Sequence, residues 1–216
     1  NAETVGLDGW GISVLGTAHS NAATHVVGTS LQLLGGTEFA RWLRQYGKNI
    51  VVNPPAVRVA PSAGNWVGIA DYRPGSPNAV AAGTAYFDVT SRCRYGVWRP
   101  AAPLPPGLYY ARCNVSLTSA VLPSRVTIAA EGTIDLWTSP GARTSPYVDG
   151  VQLVSGSGAR DAIDVNARGS DIGGALVARN GGIWFWGYGT RFRCSMLAGT
   201  IEVSGDFVRL DTPTCS

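Results

Sequence analysis

Charged side chains are scarce in this sequence, and lysine is almost missing. Asp, Glu, Lys and Arg together make up 14% of the 216 residues, and Lys48 is the only lysine. Ordinary soluble domains contain about 25% charged residues. The net charge of +3 comes from arginines scattered along the chain. Without a basic run interleaved with aromatic residues, the sequence gives no indication of nucleic-acid binding.

Histidine and closely spaced cysteine are equally scarce, which removes the usual signs of catalytic and metal sites. His19 and His25 are the only histidines, and Asp8 and Ser13 lie upstream of them. They show neither a Gly-x-Ser-x-Gly elbow nor a usual metal spacing, and the cysteines form no Cys-x-x-Cys pair. We therefore interpret both histidines as polar turn residues and expect no catalytic residue, no metal and no cofactor.

Long apolar runs are also missing, since none approaches the ~20 residues that a membrane-spanning helix requires. The chain begins at Asn1 rather than at Met, which suggests a processed N-terminus from which a signal peptide or anchor has been removed. We therefore expect no membrane-spanning segment in this chain and a location outside the cell or at its surface.

Glycine and apolar residues are plentiful instead. The chain has 28 glycines and 13 prolines, and 45% of its residues are hydrophobic. This composition is too apolar for a disordered chain and fits many short strands joined by tight turns. A chain of this length can bury one good core, so we expect a single domain over residues 1–216.

A degenerate repeat occupies the second half of the sequence. Each copy is a short apolar strand, a tight polar or glycine break and a second short strand, and the copies recur at roughly 20 residues. The copies lie at 108–117, 126–136, 151–165, 175–185 and 195–203. Such a unit cannot bury its own apolar face and must stack on the next, which predicts an all-β solenoid, a parallel β-helix.

Residues 37–46 change period. Their apolar side chains fall at i, i+3, i+4 and i+7, on one face of a helix. Thr37 and Gly47 could cap the start and the end of that helix. The pattern therefore predicts a short helix that covers part of the solenoid, with a bent strand as the alternative.

The single domain divides into four stretches. Residues 1–36 contain N-terminal strands with the same two-strand pattern, so the solenoid could begin there. Prolines and glycines make the rest of 37–107 a loop-rich excursion rather than a second domain. Regular rungs follow in 108–211, and 212–216 form a tail pinned by Cys215.

Four cysteines stand far apart in the sequence. An even number in a glycine-rich chain of low charge suggests disulfides and an oxidising compartment. Of the three pairings that four cysteines allow, we favour the pairing of sequence neighbours, because each such pair brackets a loop-like stretch. The predicted disulfides are Cys93–Cys113 and Cys194–Cys215. Buried free thiols are the alternative.

Several motifs resemble one group of secreted proteins. They are Pro105-Pro-Gly-Leu-Tyr-Tyr, Val126-Thr-Ile-Ala-Ala-Glu-Gly-Thr-Ile, Tyr147-Val-Asp-Gly-Val-Gln-Leu-Val-Ser-Gly and Gly173-Gly-Ala-Leu-Val-Ala-Arg-Asn-Gly-Gly-Ile. These stretches are similar to the β-helical region of Tad (Flp) pilus-assembly TadG-like proteins, and the likeness spans most of the chain. A weaker architectural similarity is with bactofilins, which form polymers. The resemblance implies a right-handed parallel β-helix outside the cytoplasm and no catalytic residues.

The repeat also predicts a strip of side chains on one outer face. Alternation along the strand points Asp164 outward, and Asp135, Trp184 and Glu202 occupy the same position in their copies. Stacked carboxylates on β-helix enzymes that cleave polysaccharides hold calcium or act as paired acid and base. The strip is therefore either the solvated side of a strand or a surface that contacts sugars or cations.

Residues 183–186, Ile-Trp-Phe-Trp, are the most aromatic stretch. Alternation sends Trp184 and Trp186 to the same outer side. Two outward tryptophans are costly to leave in water. Cover by the 53–107 excursion, a subunit interface and a carbohydrate platform are the alternatives that remain open.

We predict a non-enzymatic extracellular structural protein that self-associates into a filament or surface assembly. Its coil ends would expose unpaired backbone groups, and an N-terminal strand over 4–15 could add to a neighbour. The expected partner is a second copy, in a homo-oligomer or polymer, with a cell-surface glycan as a further candidate. The contact candidates are Thr4, Val5, Leu7, Trp10, Ile12, Val14, Trp184, Trp186, Phe207 and Leu210. The alternatives are a surface adhesin or glycan-binding module and, less favoured, a β-helix carbohydrate-active enzyme.

Overall fold

The molecule is a parallel β-solenoid of about nine turns, as the fold prediction required. The computed structural model describes residues 2–15, 18–34, 37–39, 42–52, 57–58, 67–122, 124–148 and 150–211. Side chains are described for 4–15, 24–34, 45–51, 67–122, 124–148 and 150–211. Two parts of the chain are distinguished below: the N-terminal part, residues 2–58, and the C-terminal part, residues 67–211.

Short strands account for most of the described chain. The N-terminal part contains β1 (Ala2–Trp10), β2 (Ser13–Val14), β3 (Ala18–Thr29), β4 (Gln32–Leu33), β5 (Thr37–Phe39), β6 (Trp42–Lys48), β7 (Val51–Val52) and β8 (Val57–Arg58). The C-terminal part contains β9 (Tyr86–Asp88), β10 (Val97–Trp98), β11 (Gly107–Ala111), β12 (Asn114–Thr118), β13 (Val126–Ala130), β14 (Ile134–Trp137), β15 (Arg143–Thr144), β16 (Val151–Ser155), β17 (Ile163–Arg168), β18 (Asp171–Gly173), β19 (Ala175–Tyr188), β20 (Arg191–Arg193), β21 (Met196–Asp206) and β22 (Arg209–Asp211). Its helices are α1 (Pro77–Ala82) and the 3-10 segments Ile69–Tyr72, Gly83–Ala85 and Thr90–Arg92.

Each full turn contributes strands to three faces. The first face begins with β9, β11, β13 and β16. It continues through the first few residues of each of the long strands β19, β21, β1 and β3, and it ends with β5 and β8. The second face runs β10, β12, β14, β17, β19, β21, β1, β3 and β6. The third face runs β15, β18, β20, β22, β2, β4 and β7. All of these strand pairs are parallel.

The order of the turns does not follow the order of the chain. β1 pairs with β21 on one side and with β3 on the other, and β2 pairs with β22 and β4. The N-terminal part therefore continues the stack beyond the last C-terminal strands, although the sequence suggested that the solenoid begins with it. We call the pairing of β1 and β2 with β21 and β22 the seam.

The helix predicted over 37–46 is wrong. This stretch forms β5 and most of β6, and β6 pairs with β3 from Ala23↔Trp42 to Thr29↔Lys48. The neighbouring turn offers a complete set of backbone partners, and that long-range pairing overrides a local helical spacing. The short helix is α1 instead, where the Ser76 hydroxyl accepts a hydrogen bond from the Ala79 N–H at 3.3 Å. Among the described helices, none has the length and apolar character to cross a bilayer.

Much of the predicted excursion belongs to the solenoid or covers its first turn. β9 and β10 form the first turn, and α1 packs against β9 and β11. Arg73 donates two hydrogen bonds to Glu131, at 2.7 and 3.1 Å, and the Tyr110 hydroxyl donates a third at 2.7 Å. The hydrogen bond from Arg73 is the main reason that the pKa of Glu131 lies below its usual range. The segment that contains Arg73 and α1 therefore covers one end of the stack.

Apolar columns run through the interior from turn to turn. Register partners Val165, Phe185, Val203, Leu7 and Val26 form one such column, and each is at most 2% exposed. The next register position is Gln45, which is exposed. A polar residue in the inward position of a terminal turn is typical of solenoid ends.

A column of glycines sets how closely the turns approach. Consecutive register partners are Gly187, Gly205, Gly9, Gly28 and Gly47. A Cβ on any of the last four would lie 1.6 to 1.9 Å from the carbonyl oxygen of the preceding member, and their φ angles are 120° to 150°. Only glycine fits these positions.

The disulfide prediction is confirmed for its first pair. Cys93 and Cys113 are bonded, which joins the first turn to the second. Cys194 is also disulfide-bonded, and its predicted partner Cys215 lies outside the described residues, as does the predicted tail 212–216. The alternative of free thiols is therefore wrong for the described cysteines.

Candidate functional site

The outer strip predicted from the repeat is present on the second face. Asp135 pairs with Asp164, Asp164 with Trp184, and Trp184 with Glu202. The next register partner is Gly6 of β1, so the strip crosses the seam into the N-terminal part. Strand alternation and in-register stacking were sufficient to place these side chains in one row.

Neighbouring carboxylates repel one another within this strip. Burial is the main cause that raises the pKa of Asp135, and the nearby Asp161 adds to it while Arg99 opposes it. Burial also raises the pKa of Asp164, with further contributions from Asp135 and Asp161. In the described part of the chain, no three His, Cys, Asp or Glu residues are arranged to hold a metal ion. Asp135 and Asp164 are therefore a pair of poorly compensated charges, and the described part of the strip lacks the arrangement of a metal centre.

The remaining members of the strip have polar partners. Glu202 accepts a hydrogen bond from the Arg160 guanidinium at 2.7 Å. The Trp184 indole N–H lies 3.5 Å from the Ser204 hydroxyl, and 44% of Trp184 is exposed. The Arg168 guanidinium lies 5.4 Å from the ring centre of the half-buried Trp186. Trp186 is thus partly covered by a neighbouring turn, whereas Trp184 presents an open ring.

A second aromatic cluster lies at the seam. Phe207 packs edge-to-face against Trp10, with ring centres 4.4 Å apart, and against Tyr188 at 6.3 Å. All three rings are about half exposed. The φ of Phe207 is +54°, in the left-handed region that bulky residues rarely adopt. The equivalent corners of other turns carry Gly169, Gly189, Gly11, Ser30 and Asn49. Backbone strain of this kind is concentrated at functional positions.

Four of the six remaining contact candidates from the sequence lie inside the molecule. Val5, Leu7, Ile12 and Val14 are buried in the core. Thr4 and Leu210 are half-buried. Both edges of β1 are paired within the chain, so β1 has no free edge to offer while the seam is closed.

Ion pairs form on the third face beside the seam. Asp211 is 2% exposed and accepts hydrogen bonds from Arg191 and from Arg209, the latter at 2.7 Å. Burial acts to raise the pKa of Asp211, but these hydrogen bonds outweigh it and hold the pKa below its usual range. Arg193 donates to Asp171 at 2.6 Å. The Arg191–Asp211 and Arg193–Asp171 pairs each join adjacent turns, whereas Arg209 and Asp211 lie on the same strand.

At the β6 end of the stack, the described residues leave one strand edge open. Among the described residues, β6 pairs with β3 alone. The side chain of Tyr46 is 60% exposed, and on the third face Val51 is 46% exposed. An uncovered strand edge presents a row of unpaired N–H and C=O groups. Sequence reasoning missed this edge because it assigned the stretch to a helix, although glycines 9, 28 and 47, spaced evenly at 19 residues, mark the repeat.

A cavity of about 540 Å³ lies at the covered end, beside the proline-rich residues 100–105. Its aromatic wall consists of Phe87 and Trp98, which stack on Tyr109 with ring centres 4.7 and 5.8 Å away. Trp98 and Tyr109 are each only 3% exposed. Because these rings already stack on one another, they leave little free aromatic face for a ligand.

No protein-family model, curated protein or solved structure matches this chain. The resemblance to TadG-like proteins and to bactofilins therefore stays a hypothesis. What the fold and its surfaces define is a class: a disulfide-bonded parallel β-solenoid whose described residues cover one end and leave a strand edge open at the other.

Proposed function

We propose that this protein is a non-enzymatic, extracellular structural protein that self-associates into a filament or a surface assembly. The observation that carries the proposal is the open edge of β6, where no described residue completes the backbone pairing. Strand edges of this kind invite pairing with another chain. The low content of charged residues, 14%, reduces repulsion between copies.

The Cys93–Cys113 disulfide supports a location outside the cytoplasm, because such bonds persist in oxidising compartments. Placement outside the cell, rather than in another oxidising compartment, is part of the proposal. The resemblance of the sequence to secreted β-helical proteins is a further argument for it.

A lysine placed beside the open edge tests the proposal. Val51→Lys adds a charge where Val51 is 46% exposed on β7, and charged edge residues oppose strand addition. Val80→Lys is the matched control, because Val80 is 70% exposed on α1 at the covered end. Light scattering over a range of protein concentrations and negative-stain microscopy should show assemblies for the original chain and for Val80→Lys, and smaller species for Val51→Lys. A chain that stays monomeric at every concentration would contradict the proposal.

A glycan-binding module is the alternative that a specific observation favours. Trp184 presents an exposed ring between the carboxylates of Asp164 and Glu202, and aromatic rings beside polar groups suit sugar faces. In that case Trp184→Ala abolishes saturable glycan binding, while Trp137→Ala, at a tryptophan 56% exposed on β14, leaves it unchanged. The less favoured enzyme hypothesis predicts turnover of a polysaccharide that Asp164→Asn abolishes.

A further inference from the structure

At the seam, the N-terminal part stacks end to end on the C-terminal part. Among the described residues, the strand pairs and backbone hydrogen bonds between the parts link 2–15 to 198–211. The register runs from Ala2↔Ala198 to Trp10↔Asp206 on the second face. On the third face, Ser13 and Leu15 donate to carbonyls of β22 and its approach, at 2.8 Å each. The N-terminal part therefore packs on the C-terminal part as a separate structural unit.

The seam repeats the geometry of the turns on either side of it. Gly9 pairs with Gly205 as Gly28 pairs with Gly9. Leu7 lies over Val203 in the core as Val26 lies over Leu7. The edge of β21 accepts β1 in the same way that any turn accepts the next. Nothing in this backbone geometry requires the two strands to belong to the same chain.

Side-chain packing at the seam favours this register of β1 on β21. The ring of Phe207 packs against Trp10. A Cβ added to Gly11 would lie 3.3 Å from the Phe207 ring, so glycine at that corner makes room for it. The Phe207 N–H also donates to the Trp10 carbonyl at 2.8 Å, as the corner N–H groups of Gly11 and Gly189 donate to the turns that follow them. The packing of Phe207 against Trp10 and Gly11, rather than the backbone bond, distinguishes β1 from other strands that could reach the same edge.

We infer that the seam is an interface that copies of this chain exchange, so that β1 and β2 of one copy stack on β21 and β22 of a second. The inference rests on the proposed function, because it names a contact through which copies join. Exchange of an identical element is a low-cost route to association. The seam makes the same contacts whether its two parts belong to one chain or to two. Protein concentration therefore decides which of these forms, because pairing within one chain has an effective concentration on the order of mM for short tethers. The second copy's own N-terminal part is then displaced, and it can stack on the C-terminal part of a third copy.

Two cysteine variants, Asp8→Cys and Ser204→Cys, test the inference in the full chain. Asp8 and Ser204 are register partners across the seam and lie on its outer face. Neighbouring strands are about 4.8 Å apart, within reach of a short crosslinker. An isotope-labelled Asp8→Cys chain and an unlabelled Ser204→Cys chain are unfolded together without reductant and refolded at several concentrations. A short thiol-specific bismaleimide is then added, and mass spectrometry counts crosslinks between labelled and unlabelled chains.

Exchange predicts mixed crosslinks whose yield rises with protein concentration. The matched control pairs Asp8→Cys with Ser116→Cys, since Ser116 is a half-buried residue on the second face at β12, remote from the seam. We expect the Ser204→Cys mixture to exceed this control by at least about tenfold at concentrations that favour exchange. Thr4→Cys with Thr200→Cys, a second register pair across the seam, provides the same measurement if either first variant fails to fold.

The outcomes separate the inference from the proposed function. If assemblies form but mixed crosslinks stay at the control level, while the double variant Asp8→Cys/Ser204→Cys crosslinks within one chain, the seam does not exchange and self-association stands. If light scattering shows monomers alone and crosslinks remain within chains, both proposals fail.

Discussion

At the residue scale, the outer strip places like charges directly beside one another. Asp135 and Asp164 are register partners, and burial together with neighbouring carboxylates raises the pKa of each. A carboxyl group whose pKa is higher in the folded state destabilises the fold when it is ionised. The charge row is therefore a stability cost at neutral pH, which indicates either a ligand of opposite charge or a tolerated feature of the repeat.

Replacing one carboxylate removes that cost. Asp164→Asn should raise the free energy of unfolding at neutral pH by several tenths of a kcal/mol up to about 1 kcal/mol, the range for cross-strand charge pairs. The raised pKa sets the sign: the gain is present at neutral pH and disappears as the pH falls below the ordinary carboxyl range, where both states bind the proton. Urea unfolding at several pH values measures this. Asp8→Asn, at an exposed acid, is the control for net charge, and a gain independent of pH would contradict the argument.

Adding a single Cβ atom within the glycine column should lower the stability by a larger amount. In Gly205→Ala the new Cβ would lie 1.8 Å from the carbonyl oxygen of Gly187, so we expect a loss of about 3 kcal/mol or more in stability. Gly189→Ala, on the neighbouring turn, lies in the left-handed region at a φ of +57° rather than +120°, and nothing lies within 4 Å of its Cβ. It should cost only about 1 kcal/mol. Equal losses in thermal or urea unfolding would show that close approach of the turns is not the constraint.

At the scale of elements, the first turn depends on a covalent link. The Cys93–Cys113 disulfide closes a loop with a sequence separation of 20. Replacing both cysteines by serine should lower the free energy of unfolding by about 3 kcal/mol, as the loop-entropy estimate gives for this length. The comparison is made without reductant, so that the bond at Cys194 is preserved. An unchanged urea midpoint would mean that α1 and Arg73 hold this end without help from the disulfide.

Strands β1 and β6 differ in what borders them, although their sequences follow the same repeat. β1 is paired on both sides, whereas β6 pairs with β3 alone among the described residues. Hydrogen exchange measured by mass spectrometry on dilute monomer should show slow amides throughout β1. It should show faster exchange in β6, where half of the amides face the open edge. Equal protection of the two strands in the monomer would remove the open edge from the proposal.

At the scale of the whole molecule, self-association links stability to concentration. If copies bind one another in the folded state, a tenfold rise in protein concentration stabilises the fold by up to about 1.4 kcal/mol. For a chain of this size, that raises Tm by up to roughly 3–6 °C. Differential scanning calorimetry at several concentrations measures the shift, and Val51→Lys should reduce it. A Tm independent of concentration would count against assembly through folded surfaces.

Parts of the fold and of the strip could be predicted because they depend on nearby residues. The row from Asp135 to Glu202 follows from equal spacing within adjacent repeats, since parallel stacking brings equivalent residues together. The first disulfide joins neighbouring cysteines across one turn. The helix predicted over 37–46 failed because ten residues with helical spacing also suit a strand when the next turn supplies its hydrogen bonds.

The amino-acid sequence alone determined that this chain coils in parallel turns, because short apolar strands that recur at roughly 20 residues must stack on one another to bury their apolar faces. Only the tertiary structure decided which turn follows which. A parallel turn offers the same backbone groups to any partner of matching register, so the chain's local pattern does not record that β1 rests on β21. That choice comes from contacts between residues far apart in sequence, such as Phe207 with Trp10. It places the seam in the middle of the stack and leaves β6 with an edge that no described residue pairs.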